Sequence, residues 1–117
     1  MMPIIAFQDE ELQDWEDVAP ERVISGTPRE AFKILYSDGG LTAGIYACNK
    51  GKWRTDYTGE NEYCRLMAGS VVLTGENGIA QRFDAPTSFL IPAGFKGTWE
   101  PLSDIRKFFV IHKQAGA

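Results

Sequence analysis

The sequence predicts a single all-β domain, built as a sandwich or a barrel. From Val23 onward, short segments of alternating apolar and polar residues are separated by turn signals about every ten residues, which is typical of this class. No long helical period interrupts the pattern. The chain has 117 residues, of which 44% are hydrophobic and 12% aromatic, so it can fill one core.

The segment before these strands has a different pattern. Leu12, Trp15 and Val18 stand at near-helical spacing among acidic residues, which predicts one amphipathic helical turn or an arm that packs on the sheet. We therefore divide the chain into a short N-terminal arm, residues 1–22, and a single barrel domain, residues 23–117. We expect residues 9–17 to form a solvated acidic face.

The predicted strands follow one another between clusters of turn residues. Asp38-Gly39-Gly40 and Asn77-Gly78 mark two of the turns, and Asn-Gly is a strong hairpin signal. The alternation places strands at residues 30–36, 42–48, 52–57, 62–67, 70–75, 79–83, 88–91, 96–100 and 105–112.

Charge and hydropathy exclude two classes of partner. The net charge is -4 and the lysines and arginines are scattered, so we expect no nucleic-acid binding. The longest apolar runs, residues 70–73 and 108–111, are too short to cross a membrane. The first residues lack the basic character of a secretory signal, and two cysteines in a domain of this size fit a reducing compartment. The sequence therefore predicts a cytoplasmic protein.

Two spaced motifs give the chain a family resemblance. Glu62 is followed after six residues by Gly69, a turn comes at Asn77-Gly78, and Pro92-x-Gly94 begins a Gly-Phe-x-Gly-x-Trp-Glu run. This arrangement resembles the two motifs of the RmlC-like cupin superfamily. The segments 62–69, 91–100 and 105–110 are similar to small single-domain cupins of the (S)-ureidoglycine aminohydrolase type, known as domain of unknown function 861.

The resemblance implies a cupin jelly-roll barrel, also called a double-stranded β-helix, whose interior can hold a small ligand. It also implies a homodimer, since relatives are commonly dimers. In most cupins, two histidines and the glutamate of the first motif, with one histidine of the second, bind a divalent metal.

The chain departs from that metal-binding pattern. Alignment on Glu62 places Thr55 and Tyr57 at the two histidine positions of the first motif, and Gly97 at that of the second. His112 is the only histidine, so a histidine-rich site cannot form within one subunit. We expect no cofactor and no metal of the usual kind. A hard divalent cation bound by Glu62, Asp56 and a thiolate stays an open alternative.

Strand alternation predicts which side chains face the barrel. The resemblance places Glu62 inside, and alternate residues share a face, so Cys64 and Leu66 lie inside too. A buried carboxylate needs a partner, and we expect Lys107 on the last strand to provide it. The alternative is that Lys107 points to solvent and that Glu62 bonds only to threonine or tyrosine hydroxyls.

These residues define a candidate site. Tyr57 stands where a metal ligand would otherwise be, and tryptophans and tyrosines suit the wall of a pocket, although Trp53 and Trp99 equally suit a core or a dimer interface. We interpret Cys64 as a buried thiol rather than a nucleophile. The predicted ligand-binding residues are Thr55, Tyr57, Glu62, Cys64, Trp99, Lys107 and Tyr46.

Three functions are compatible with these features. The leading hypothesis is a cupin that binds a small polar organic molecule in the barrel without a histidine-bound metal. The first alternative is a small-molecule hydrolase or isomerase similar to ureidoglycine aminohydrolase, in which Glu62 acts with Tyr57 or Lys107 as base and acid. The second alternative is a structural or regulatory dimer module.

Overall fold

The computed structural model describes residues 3–114 and confirms the all-β prediction. Strands β3 to β11 match the predicted segments to within about two residues at each end. The short strands β1 and β2 and a 3-10 helix, Pro20–Arg22, precede them. The strands are β1 Glu16–Asp17, β2 Val23–Ser25, β3 Arg29–Ser37, β4 Leu41–Cys48, β5 Lys52–Asp56, β6 Glu60–Ala68, β7 Ser70–Gly75, β8 Ala80–Asp84, β9 Thr87–Ile91, β10 Lys96–Pro101 and β11 Ile105–Lys113.

The strands form two antiparallel sheets that face each other. Sheet A has the order β1-β3-β4-β11-β6-β9, and sheet B has the order β2-β5-β10-β7-β8. The core lies between them, with Cys64 and Leu66 of sheet A packed together with Trp53, Leu73 and Trp99 of sheet B. This double-sheet arrangement is the predicted jelly roll.

Gly69 makes the sharp connection by which the chain passes from sheet A to sheet B. It stands between β6 and β7 with φ of 90°, a left-handed conformation that favours glycine. A Cβ atom at this position would also lie 2.2 Å from the carbonyl oxygen of Asp104. The position of Gly69 in the first motif therefore has a steric reason.

The N-terminal segment lies on the outer face of sheet A. Leu12 is buried against Ala31, Ile45 and Ala47, which form a second, smaller apolar cluster. The Phe7 ring meets Phe108 edge to face, with 5.4 Å between the ring centroids. Residues 9–17 are exposed apart from Leu12. Within the described part of the chain, no helix is long and apolar enough to cross a membrane.

Candidate functional site

A buried ion pair lies near the centre of sheet A. Lys107 on β11 extends its ammonium to Glu62 on β6, with 2.9 Å between Nζ and Oε2, and each side chain is only 6% exposed. In the strand register Lys107 stands beside Tyr46 and Leu66, and its side chain reaches along β6 to Glu62. Of the two orientations that the sequence left open for Lys107, the structure has the inward one.

Tyr57 gives Glu62 its second hydrogen bond. The Tyr57 hydroxyl donates to Oε1 of Glu62 at 2.5 Å. Tyr57 follows β5 directly, and two backbone hydrogen bonds fix it to the loop before β10, one to the Phe95 carbonyl and one from the Gly94 amide. Each carboxylate oxygen of Glu62 thus accepts a hydrogen bond from a buried donor, which offsets the cost of burying the charge.

Two aromatic rings face the Lys107 ammonium. Its Nζ lies 4.5 Å from the ring centroid of Trp99 and 5.0 Å from that of Tyr46, both within the range of a cation–π interaction. The sulfur of Cys64 lies 3.5 Å from the same nitrogen. The ammonium therefore lies among one carboxylate, one sulfur and two rings.

The protons of the cluster are held firmly. Burial raises the pKa of Cys64 to about 12, and burial likewise raises the pKa of Tyr57 above its ordinary value. Burial by itself lowers the pKa of Lys107, but the neighbouring Cys64 sulfur and Glu62 carboxylate outweigh that effect and raise it above its ordinary value. At neutral pH the cluster thus contains an ammonium, a neutral phenol and a neutral thiol.

The ion pair forms the buried end of a cavity between the two sheets. The cavity has a volume of about 280 Å³, and its other end is open at the half-exposed side chains of Phe32 and Ile34. Mostly apolar walls with a few polar groups are typical of small-molecule sites. The lining side chains come from both sheets and from the 3-10 helix: Arg22, Glu30, Phe32, Ile34, Thr42, Tyr46, Trp53, Thr55, Tyr57, Glu62, Trp99, Lys107, Phe109 and Ile111.

The structure brings most of the predicted site residues to this cavity. Thr55, Tyr46 and Trp99 lie in its walls together with the ion pair and Tyr57. Trp53 belongs both to the wall and to the core, so the two interpretations of the tryptophans are compatible. Cys64 is fully buried and is not among the lining residues. Its sulfur contacts the Lys107 ammonium rather than the cavity itself.

Sequence reasoning missed the contribution of β3. Glu30, Phe32 and Ile34 occupy alternate positions on this strand and line the cavity. The side-chain period of two, already used to identify β3, places Glu30 on the same face as the two apolar residues. That alternation was enough to place Glu30 on the cavity-lining face of β3. No signal in the sequence indicated that this face of β3 would border an open cavity.

The donor set does not fit the divalent metal that the cupin resemblance implies. Both oxygens of Glu62 accept hydrogen bonds from Tyr57 and Lys107, and a Cβ atom at Gly97 would lie 1.9 Å from the Thr74 carbonyl oxygen. A histidine at position 97 would require the backbone to move. Asp56 is exposed and bonds to Thr58, so it does not converge on Glu62. Within residues 3–114, no three His, Cys, Asp or Glu side chains form a group that could hold a metal ion.

Similar solved structures support the fold. A protein of unknown function from Pseudomonas syringae pv. tomato, in the domain of unknown function 861 family, is 22% identical over 87% of this chain, with a TM-score of 0.77. The EutQ protein of Clostridium difficile is 14% identical over 75% of the chain, with a TM-score of 0.66. A domain of unknown function 861 protein of Thermotoga maritima is 25% identical over 56% of the chain, with a TM-score of 0.53.

The chain aligns with only part of each of these relatives. It spans 44% of the Pseudomonas protein, 65% of the Clostridium protein and 73% of the Thermotoga protein. No curated protein matches the sequence. The family described as the EutQ-like cupin domain matches residues 35–109, which is well over half of the chain and includes both motifs and the ion pair. The predicted resemblance is thereby confirmed, and the chain belongs to the EutQ-like cupin domain family.

Proposed function

We propose that the protein binds a small polar organic molecule in the barrel cavity and that no histidine-bound metal takes part. The observation that carries this proposal is the buried Lys107–Glu62 ion pair at the closed end of an aromatic-walled cavity. A polar group of the ligand would reach this pair, while its less polar part would lie against Trp53 and Trp99. Tyr57 and Thr55 supply further hydroxyl groups in the wall.

The energetics favour a ligand over a purely structural role for the ion pair. A buried ion pair rarely stabilises a fold more than well-packed apolar side chains of similar volume would. Glu62 and Lys107 also border the open cavity, and apolar side chains at these two positions would need no buried polar partners. A lysine ammonium has three donors, and here one goes to Glu62 and one faces the weakly accepting sulfur of Cys64. The remaining capacity is available to an acceptor atom of a ligand.

The short Tyr57–Glu62 contact supports a second function, acid and base catalysis. Its 2.5 Å distance, with Lys107 at 2.9 Å on the other oxygen, meets the geometric requirement for proton transfer. The raised pKa values of Tyr57 and Lys107 count against this function, because both groups hold their protons tightly at neutral pH. Binding without turnover is therefore the function that we propose first.

Native mass spectrometry combined with elemental analysis tests the proposal on protein purified without chelator. We expect a small organic adduct, no stoichiometric transition metal, and the mass of the homodimer that the family resemblance implies. A transition metal at one equivalent per chain would overturn the metal-free part of the proposal. A monomer would overturn the dimer alone.

A cavity-blocking variant locates the adduct. Thr55→Trp places a large side chain in the wall, whereas Thr27→Trp adds the same side chain at an exposed position outside the cavity. We expect the adduct to disappear from the first variant and to persist in the second. The proposal fails if the wild type carries no adduct and a set of polar fragments shifts neither indole N–H resonance of Trp53 and Trp99.

A further inference from the structure

Glu30 is the carboxylate of the cavity that lacks a cation. It stands at the start of the cavity-lining face of β3 and is partly buried. Its Oε1 accepts a hydrogen bond from the Tyr46 hydroxyl at 2.7 Å. Within the described range, Glu30 forms no ion pair with any lysine, arginine or histidine. Arg22 lines the same cavity, but its Nε donates to the Arg54 carbonyl oxygen.

The cavity wall carries two cations, Arg22 and Lys107, and two carboxylates, of which only Glu62 is in an ion pair. Lys107 and Glu62 neutralise each other at the closed end. Glu30 adds a negative charge that accepts a hydrogen bond from the Tyr46 hydroxyl, and within the described residues it forms no ion pair with Arg22. A partly desolvated carboxylate gains most from a positively charged hydrogen-bond donor, because charge-assisted hydrogen bonds are the stronger kind.

The aromatic walls favour the same sign of charge. The rings of Tyr46 and Trp99 already stabilise one ammonium, that of Lys107, at 5.0 and 4.5 Å. Tyr46 also joins the two ends of the cavity, since Lys107 lies over its ring and Glu30 lies at its hydroxyl. Phe32 and Trp53 add further ring surface to the wall. A carboxylate beside aromatic faces is the arrangement by which proteins recognise organic ammonium ions.

We propose that the ligand of this cavity is a small organic amine, bound as its ammonium ion, with the cation against the Glu30 carboxylate and its body among Phe32, Tyr46 and Trp53. This inference rests on the proposed function and specifies the ligand class for the same cavity. Glu62 and Lys107 then interact with whatever acceptor group the amine carries at its other end.

Three probes with one aromatic body and different charges test the ligand class. Benzylamine, benzyl alcohol and benzoate are titrated at neutral pH while the indole N–H resonances of Trp53 and Trp99 are followed by NMR. We expect benzylamine, which is protonated there, to bind about tenfold more tightly than the other two. Tighter binding of benzoate or of benzyl alcohol would overturn the inference and leave the proposed function intact.

Two variants assign the preference to Glu30. Glu30→Gln keeps an oxygen for the Tyr46 hydroxyl but removes the charge, so we expect the affinity for benzylamine to fall about tenfold, to that of benzyl alcohol. Glu76→Gln makes the same change at an exposed position outside the cavity and is expected to bind as the wild type does. Unchanged benzylamine binding by Glu30→Gln overturns the inference. If none of the three probes binds, the inference is also overturned. The proposed function is overturned only if the wild type carries no adduct and the broader set of polar fragments does not bind either.

Discussion

Arg106 and Lys107 are neighbours on β11 that carry the same charge into opposite environments. Arg106 points to the outer face, where its Nη2 lies 2.6 Å from Asp9 Oδ1, and the two side chains are 26% and 52% exposed. Lys107 points between the sheets to Glu62, where both partners are 6% exposed. One step along a strand therefore separates an exposed ion pair that water screens from one that is almost fully buried.

The comparison shows what each pair is able to do. The outer pair helps to fasten the N-terminal segment to sheet A, and its loss leaves two side chains that water can solvate. The inner pair has no such substitute, because removal of either partner leaves an uncompensated charge in the core. Both pairs join a cation to a carboxylate, and it is burial that makes the inner one more costly to break.

Removal of the inner cation is expected to have the largest effect. Lys107→Met keeps most of the length of the side chain and leaves Glu62 buried without its counter-charge, so the free energy of unfolding should fall by about 3–5 kcal/mol. Arg106→Met, the matched change one residue earlier, should cost about 1 kcal/mol or less. Urea unfolding followed by tryptophan fluorescence measures both values.

The double variant Glu62→Gln with Lys107→Met separates charge from packing. It removes the unpaired carboxylate, so it should recover at least part of the stability lost by Lys107→Met alone. Equal losses from Lys107→Met and Arg106→Met would show that the two pairs do not differ as their burial implies.

The inward position of Lys107 also shows how far sequence reasoning reaches. Strand period and turn residues placed β3 to β11, because the alternation of apolar residues along a strand follows from its geometry. The face of Glu62 followed from the motif, and the faces of its neighbours followed from the period. Lys107 was the predicted partner of Glu62, but its orientation stayed open, because the register between the neighbouring strands β6 and β11 decides whether its side chain reaches Glu62.

The same limit explains Glu30. The alternation along β3 predicts the face on which Glu30 lies. Whether that face borders an open cavity depends on how completely the side chains of the two facing sheets fill the space between them, and short local patterns do not encode this. The strands β1 and β2 were also not predicted, because segments of two or three residues are too short to show an alternating pattern.

Alkaline pH is expected to lower the free energy of unfolding by less than Lys107→Met does, through ionisation of the buried thiols. Burial raises the pKa of Cys48 from 9.0 to about 11, so the folded protein holds this proton more tightly than the unfolded chain does. The corresponding stability is fully present below pH 9 and is lost as the pH rises toward 11. For each thiol the loss between about pH 8 and about pH 10 should be about 1.3 kcal/mol.

Cys48→Ala isolates this contribution. The lost packing of the thiol lowers the stability of the variant by an amount that does not depend on pH, whereas the decline of its stability above pH 9 should be shallower than that of the wild type. Urea midpoints measured from about pH 7 to about pH 10 give the slope. Identical slopes for the wild type and the variant would mean that Cys48 titrates in the folded protein as it does in water.

The exposed pair between Lys33 and Glu10 should give the smallest effect of all. Its atoms lie 2.7 Å apart, closer than those of the inner pair, yet the side chains are 51% and 41% exposed. Lys33→Met should therefore change the free energy of unfolding by less than about 1 kcal/mol, and salt at about 1 M should abolish even that difference. The deficit of Lys107→Met should persist in the same salt, because salt screens a buried ion pair much less than an exposed one. If distance rather than burial set the strength of these pairs, Lys33→Met would lower the free energy of unfolding more than Lys107→Met does. Urea unfolding of both variants at low and high salt distinguishes the two explanations.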